Sequence, residues 1–155
     1  MIDGKRRWAN PLWFFFHGFS EKIDENYYNN NYMTCFNFFS LLCKNIPCPL
    51  CKAEAMQKIN KTNPHIELNN KKKLKLYWFN FHNEVNRRLR KKIYNIEYLE
   101  LYKKINMRKC ILLVDKTFFA KYYSFKVFNG WLRNSFKSTW VKFIRNHYKL
   151  LGIKN

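Results

Sequence analysis

Cys48 and Cys51 stand two residues apart in Ile46-Pro47-Cys48-Pro49-Leu50-Cys51, where a helix should begin. Pro47 and Pro49 interrupt whatever precedes, and proline suits a first helical turn because its missing N–H has no partner to lose there. Ala53, Met56 and Ile59 follow at helical spacing and predict an apolar face. Cys48 is thereby placed near a helix N-terminus, where open N–H groups and the macrodipole favour a thiolate. A dithiol so placed can cycle between reduced and disulfide forms. The same thiols could supply half of a zinc site with His65 and His82, but His82 lies deep in a long predicted helix, and no metal is expected. No strand–helix–strand pattern surrounds the pair, which argues against a thioredoxin-like motif. Cys35, Cys43 and Cys110 are single and read as small buried residues, with a part in thiol exchange left open for Cys43.

The elements that must position these thiols are helical. Asn10-Pro11 predicts a helix over about 11–25, with Trp13, Phe16 and Phe19 on one side and His17 a turn beyond Trp13. Residues 26–31 read as a loop. Phe36, Phe39 and Cys43 predict a helix over 32–44, and residues 61–70 read as a second loop. The longest periodic stretch, about 72–91, carries Leu74, Trp78, Phe81, Val85 and Leu89 on one stripe. His82 and Asn86 border that stripe and need partners there. Asn95 caps a short helix over about 96–105. Beyond it, the type of the apolar run Cys110 to Val114 is undecided. Gly130 precedes a basic amphipathic helix over 131–151, with Leu132, Phe136, Trp140, Phe143 and Tyr148 on its apolar side.

The chain has 155 residues, 47% of them hydrophobic, which suffices for one domain with a core. Four glycines and four prolines are too few for an all-β fold and favour a helical one. The formal charge of +20 would suit a polyanion partner. The Lys, Asn, Tyr, Phe and Ile bias is also what AT-rich coding produces, so no specific nucleic acid partner is inferred. No secretory signal is visible, and no stretch reaches the roughly 20 apolar residues of a spanning helix. The expected setting is cytoplasmic, where five cysteines are more useful for catalysis than for a disulfide framework.

Read together, the motifs resemble those of the ERV/ALR family of FAD-linked sulfhydryl oxidases. Trp13-Phe14-Phe15-Phe16-His17 resembles the family's Trp-three residues-His motif, Cys48 and Cys51 its active-site pair, and His82-Asn83-Glu84-Val85-Asn86-Arg87-Arg88-Leu89 its His-Asn-x-Val-Asn-x-x-Leu signature. Trp78 and the Trp8-four residues-Trp13 start look like the short forms carried by large DNA viruses with cytoplasmic replication. The resemblance covers roughly residues 5–105.

It implies an all-α fold, a four-helix bundle plus a short fifth helix, with residues 1–105 as the FAD-binding oxidase domain. Residues 106–155 are then a basic and aromatic extension, partly helical, that packs on the domain, binds a partner or touches a membrane surface. The implied cofactor is FAD, held by Trp8, Trp13, His17, Cys51, Trp78, His82, Asn83, Val85, Asn86, Lys91 and Tyr94. Cys51 would lie next to the flavin and Cys48 would meet incoming electrons. The implied partners are substrate protein thiols or a thioredoxin-like redox protein, molecular oxygen and a second copy in a homodimer. The implied setting is virion assembly in the host cytoplasm, with packaging in the virion. Gly18, Phe19 and Ser20 stand where members carry a tyrosine, Lys92 replaces a proline, and no second cysteine pair is present.

Overall fold

Short polar side chains before apolar runs set where several of the helices begin. Asp24 Oδ1 accepts the Tyr27 N–H at 2.7 Å, Asn70 Oδ1 that of Lys73 at 3.0 Å, and Asn106 Oδ1 that of Lys109 at 3.0 Å. Each satisfies a donor that a helix leaves open in its first turn. A computed structural model describes residues 7–119 and 130–154, with the backbone alone for 130–133. In order the helices are α1 (Ala9–Lys22), α2 (Glu25–Lys44), α3 (Pro49–Lys61), α4 (Pro64–Glu67) and α5 (Lys71–Arg88). A 3₁₀ segment (Ile96–Lys104) follows, then α6 (Met107–Thr117), α7 (Gly130–His147) and a closing 3₁₀ turn (Lys149–Leu151). The fold is all-α, with no strand among the described residues.

Several sequence expectations need correction. Residues 26–31 are not a loop: Asp24 caps α2, which starts at Glu25 and bends at Asn31 (φ −131°, ψ 18°). The second predicted loop contains the single turn α4, started by Asn63 and Pro64. Ala53 is exposed, and Ala55 with Ile59 forms the buried side of α3. The α5 stripe ends at Val85, because Leu89 is the C-cap and is exposed. The predicted helix over 96–105 is 3₁₀, and the undecided run from Cys110 lies in α6. The Leu132 side chain lies outside the described residues.

Helix α1 runs through the centre and buries eight residues, Pro11, Leu12 and Phe15 to Ser20. Phe16 stacks on Trp78 of α5 at 3.9 Å and 9°, with Phe39 of α2 edge-on to both rings. The other side of α1 meets the C-terminal helices. Phe15 lies 4.8 Å from Trp140, and Phe38 of α2 stacks on Phe143 at 3.6 Å. Phe136, Trp140, Phe143 and Ile144 of α7 are all buried in this core. Gly18 lets the chain ahead of α6 approach closely. A Cβ there would sit 2.5 Å from Met107 Sδ and 3.2 Å from Ile105 Cδ1. Among the described residues no helix is long and apolar enough to cross a membrane.

Candidate active site

Cys48 is the N-cap of α3 and Pro49 its first helical residue. The Cys51 N–H donates to Cys48 Sγ at 3.3 Å, so one sulfur holds a helix-terminal donor that a serine or aspartate would usually hold. Cys48 and Cys51 form a disulfide with Cα atoms 5.2 Å apart, and both are half-buried. A thiolate released at Cys48 would keep the Cys51 N–H and the helix dipole, which stabilise it. Burial pushes the free thiols the other way, Cys35 and Cys43 up to about 12 and Cys110 up to about 11. These three stay protonated and poorly nucleophilic at neutral pH.

A second group of residues gathers where α1 meets α5. Trp13 and His82 stack at 4.1 Å and 6°, and Phe81 meets Trp13 edge-on at 5.6 Å. His17 Nε2 and His82 Nδ1 are 3.0 Å apart and share one hydrogen bond. Tyr102 of the 3₁₀ segment stacks on His17 at 4.5 Å and 19°. Burial, with His82 alongside, holds His17 down at about 3; burial, with Lys91 nearby, holds His82 down at about 4. Both imidazoles are neutral at pH 7, so one donates and the other accepts.

Trp78, His82 and Asn86 follow one another along α5 at four-residue steps, roughly one face of the helix. Trp78 Nε1, Asn86 Nδ2 and His17 Nδ1 are buried with no hydrogen-bond partner in the chain. Such orphans are rare and cost on the order of 1–3 kcal/mol each. His17 Nδ1 belongs to the ring that bonds His82, and Trp78 and Asn86 lie one turn to either side of His82 along α5. Asn83 is used differently: its amide accepts the Tyr94 N–H at 3.1 Å and donates to the Tyr94 carbonyl at 2.8 Å. It thereby holds the segment bearing Lys91 and Tyr94 against α5. Trp8 is buried in the core with its ring edge-on to Phe118, apart from these contacts.

Helices α3 and α5 face each other across a cleft of about 430 Å³, lined by Phe81, Val85 and the polar flank of α3. Glu54–Arg88 (2.6 Å) and Lys58–Glu84 (2.8 Å) join the two helices, and Lys58 Nζ lies 5.8 Å over the Phe81 ring. Phe81 therefore touches both Trp13 and the cleft. Among the described residues no three of His, Cys, Asp and Glu gather into a metal site. His65 bonds Tyr32, and His82 bonds His17.

The model of the Erv1 / Alr family matches residues 10–108, a span that holds the disulfide and both imidazoles. The chain belongs to the Erv1/Alr family. No curated protein and no solved structure matches it. The family is one of sulfhydryl oxidases, so this Erv1/Alr chain is an oxidoreductase acting on thiols, and Cys48–Cys51 is a disulfide within the matched span. The family binds FAD, and the aromatic wall and three orphaned polar atoms are of the kind that suits an isoalloxazine or adenine ring. Two residues of this wall escaped the sequence reading of the site. In the sequence Phe81 stands out only as part of the apolar stripe. Tyr102 had one signal, the four-residue spacing Tyr94, Tyr98, Tyr102.

Proposed function

We propose that this Erv1/Alr chain is an FAD-dependent thiol oxidase that inserts disulfides into substrate proteins and yields hydrogen peroxide. The observation that carries it is the Cys48–Cys51 disulfide at the start of α3 in a chain whose α1–α5 junction leaves three buried polar atoms without partners. When bound, FAD would supply the electron transfer from a dithiol to dioxygen. The stacked Trp13–His82 pair would give it aromatic surface, His17 Nδ1, Trp78 Nε1 and Asn86 Nδ2 would give polar contacts, and Lys91 would give positive charge to a pyrophosphate.

The thiol chemistry belongs to the chain itself. A substrate thiolate attacks Cys48 Sγ, the Sγ–Sγ bond breaks, and Cys51 leaves as a thiolate. A second substrate thiolate attacks the substrate sulfur of the mixed disulfide, and Cys48 leaves in turn. The Cys51 N–H that bonds Cys48 Sγ makes Cys48 the better leaving group in that step. The substrate has lost two electrons and gained a disulfide; Cys48 and Cys51 have taken those electrons as a dithiol.

The Trp8-four residues-Trp13 start and Trp78 support a viral short form working during virion assembly in the host cytoplasm. Purified protein should be yellow and consume oxygen with a dithiol. Cys51→Ser should keep the flavin spectrum and lose turnover. A colourless protein without oxygen consumption, or full activity in Cys51→Ser, would overturn the proposal.

A further inference from the structure

We propose that the surface around the Cys48–Cys51 disulfide docks cysteine-bearing polypeptide segments flanked by acidic side chains, and so selects acidic substrates. This rests on the thiol-oxidase reading and adds a substrate class to it.

Three observations converge there. Pro49 and Leu50, between the two sulfurs, are exposed, and Leu50 keeps 65% of its surface in solvent at the first turn of α3. An exposed leucine beside a reactive disulfide gives an incoming chain an apolar contact. Lys44, at the end of α2, and Lys52, next to Cys51, are also exposed, and neither makes an ion pair among the described residues. No acidic residue occurs between Glu25 and Glu54. Glu54 is neutralised by Arg88 at 2.6 Å, and Glu84 across the cleft by Lys58 at 2.8 Å. The disulfide is thus flanked in sequence by two unpaired lysines, and the dipole of α3 adds to them; Glu67, at the far end of the α3–α5 cleft, is the one lining carboxylate without an ion pair among the described residues. The chain's +20 charge extends the same field outward and steers anions toward it. A nucleic acid would feel that field too, but Leu50 and two sulfurs offer nothing to a phosphate. They fit a cysteine within an acidic polypeptide.

The test compares two peptides carrying the same cysteine pair, one flanked by glutamates and one by lysines, with dithiothreitol as the uncharged reference. Oxygen consumption by the full-length holoenzyme is measured at about 0.01 M and about 1 M salt, where screening lengths are roughly 30 and 3 Å. At low salt kcat/KM should favour the glutamate peptide by about tenfold or more, and the gap should close at high salt. The double substitution Lys44→Glu, Lys52→Glu should narrow or reverse the preference in the same preparation. Equal low-salt rates for the two peptides, with dithiothreitol still oxidised, overturn the docking proposal and leave the oxidase reading standing. Tight binding of a DNA duplex alongside equal peptide rates would assign the charge to nucleic acid instead. Failure to oxidise dithiothreitol removes the oxidase reading and this proposal with it.

Discussion

Mild acid should destabilise this fold through two histidines. His17 and His82 are held at about 3 and about 4, below the ordinary imidazole value near 6.5, mainly by burial. The unfolded chain therefore binds protons more readily than the folded one, and stability falls as pH drops below about 6.5. At about pH 5 each imidazole is charged in the unfolded chain and still neutral in the fold. That is roughly 1.5 pH units at about 1.4 kcal/mol each, so about 2 kcal/mol per histidine and about 4 kcal/mol for the pair. His147 is lowered by burial as well and acts in the same direction. A domain of ordinary stability, about 5–15 kcal/mol, would lose a large part of it. Urea unfolding followed by circular dichroism at about pH 7.5 and about pH 5 measures the difference directly. His17→Gln and His82→Gln should each remove about 2 kcal/mol of the pH dependence and leave the His147 share, whatever they do to stability at neutral pH. A loss under about 1 kcal/mol in the parent chain, or the same slope in the doubly substituted one, refutes the burial argument.

Gly18→Ala should change stability by no more than about 1 kcal/mol, read from the melting temperature, because Met107 and Ile105 must shift while alanine is the better helix former by about 1 kcal/mol; adding Met107→Ala should relieve the close contact at Gly18 but open a cavity in the core. Tyr27→Phe deletes the 3.0 Å bond between Tyr27 Oη and His147 Nε2 and should lower stability by about 1 kcal/mol in urea titration. After mild reduction, alkylation followed by mass spectrometry should label Cys48 before any other cysteine. Cys35, Cys43 and Cys110 should resist until the chain is unfolded, since burial keeps their thiols protonated.

What was legible in the sequence was local or periodic. Pro47 and Pro49 announce the start of α3, and the Trp78–Phe81–Val85 stripe announces α5. The His82 signature is local too, and the pairing of His82 with His17 follows once α1 and α5 pack. The start of α2 was hidden because its asparagines look like turn residues. There Asp24 supplies the cap, Tyr28 is buried, and Asn30 and Asn31 bond carbonyls four residues back. Long-range partners were hidden for another reason. Met107 fills the space above Gly18, Tyr102 stacks on His17, and Trp140 reaches Phe15. Each joins residues far apart in the chain, and no spacing rule within one helix can pair them.

The disulfide helix and the aromatic wall are held with different strength, and the proposed chemistry calls for that difference. The aromatic wall stands on α1, which buries eight residues, and on the stacked Phe16–Trp78 pair. Helix α3 buries only Ala55 and Ile59. Its tie to α5 includes two exposed ion pairs, each worth no more than about 1 kcal/mol. An element with few apolar contacts opens locally at low cost. A flat cofactor needs a wall that is already in place, because ordering the rings on binding would subtract from affinity. In the proposed reaction the disulfide needs the opposite: Cys48 would carry a substrate protein on its sulfur during turnover and then release it. A wall fixed by α1 and α5, with the cysteines on a lightly anchored α3, lets the sulfur pair adjust to a substrate thiol without disturbing the rings on α1 and α5.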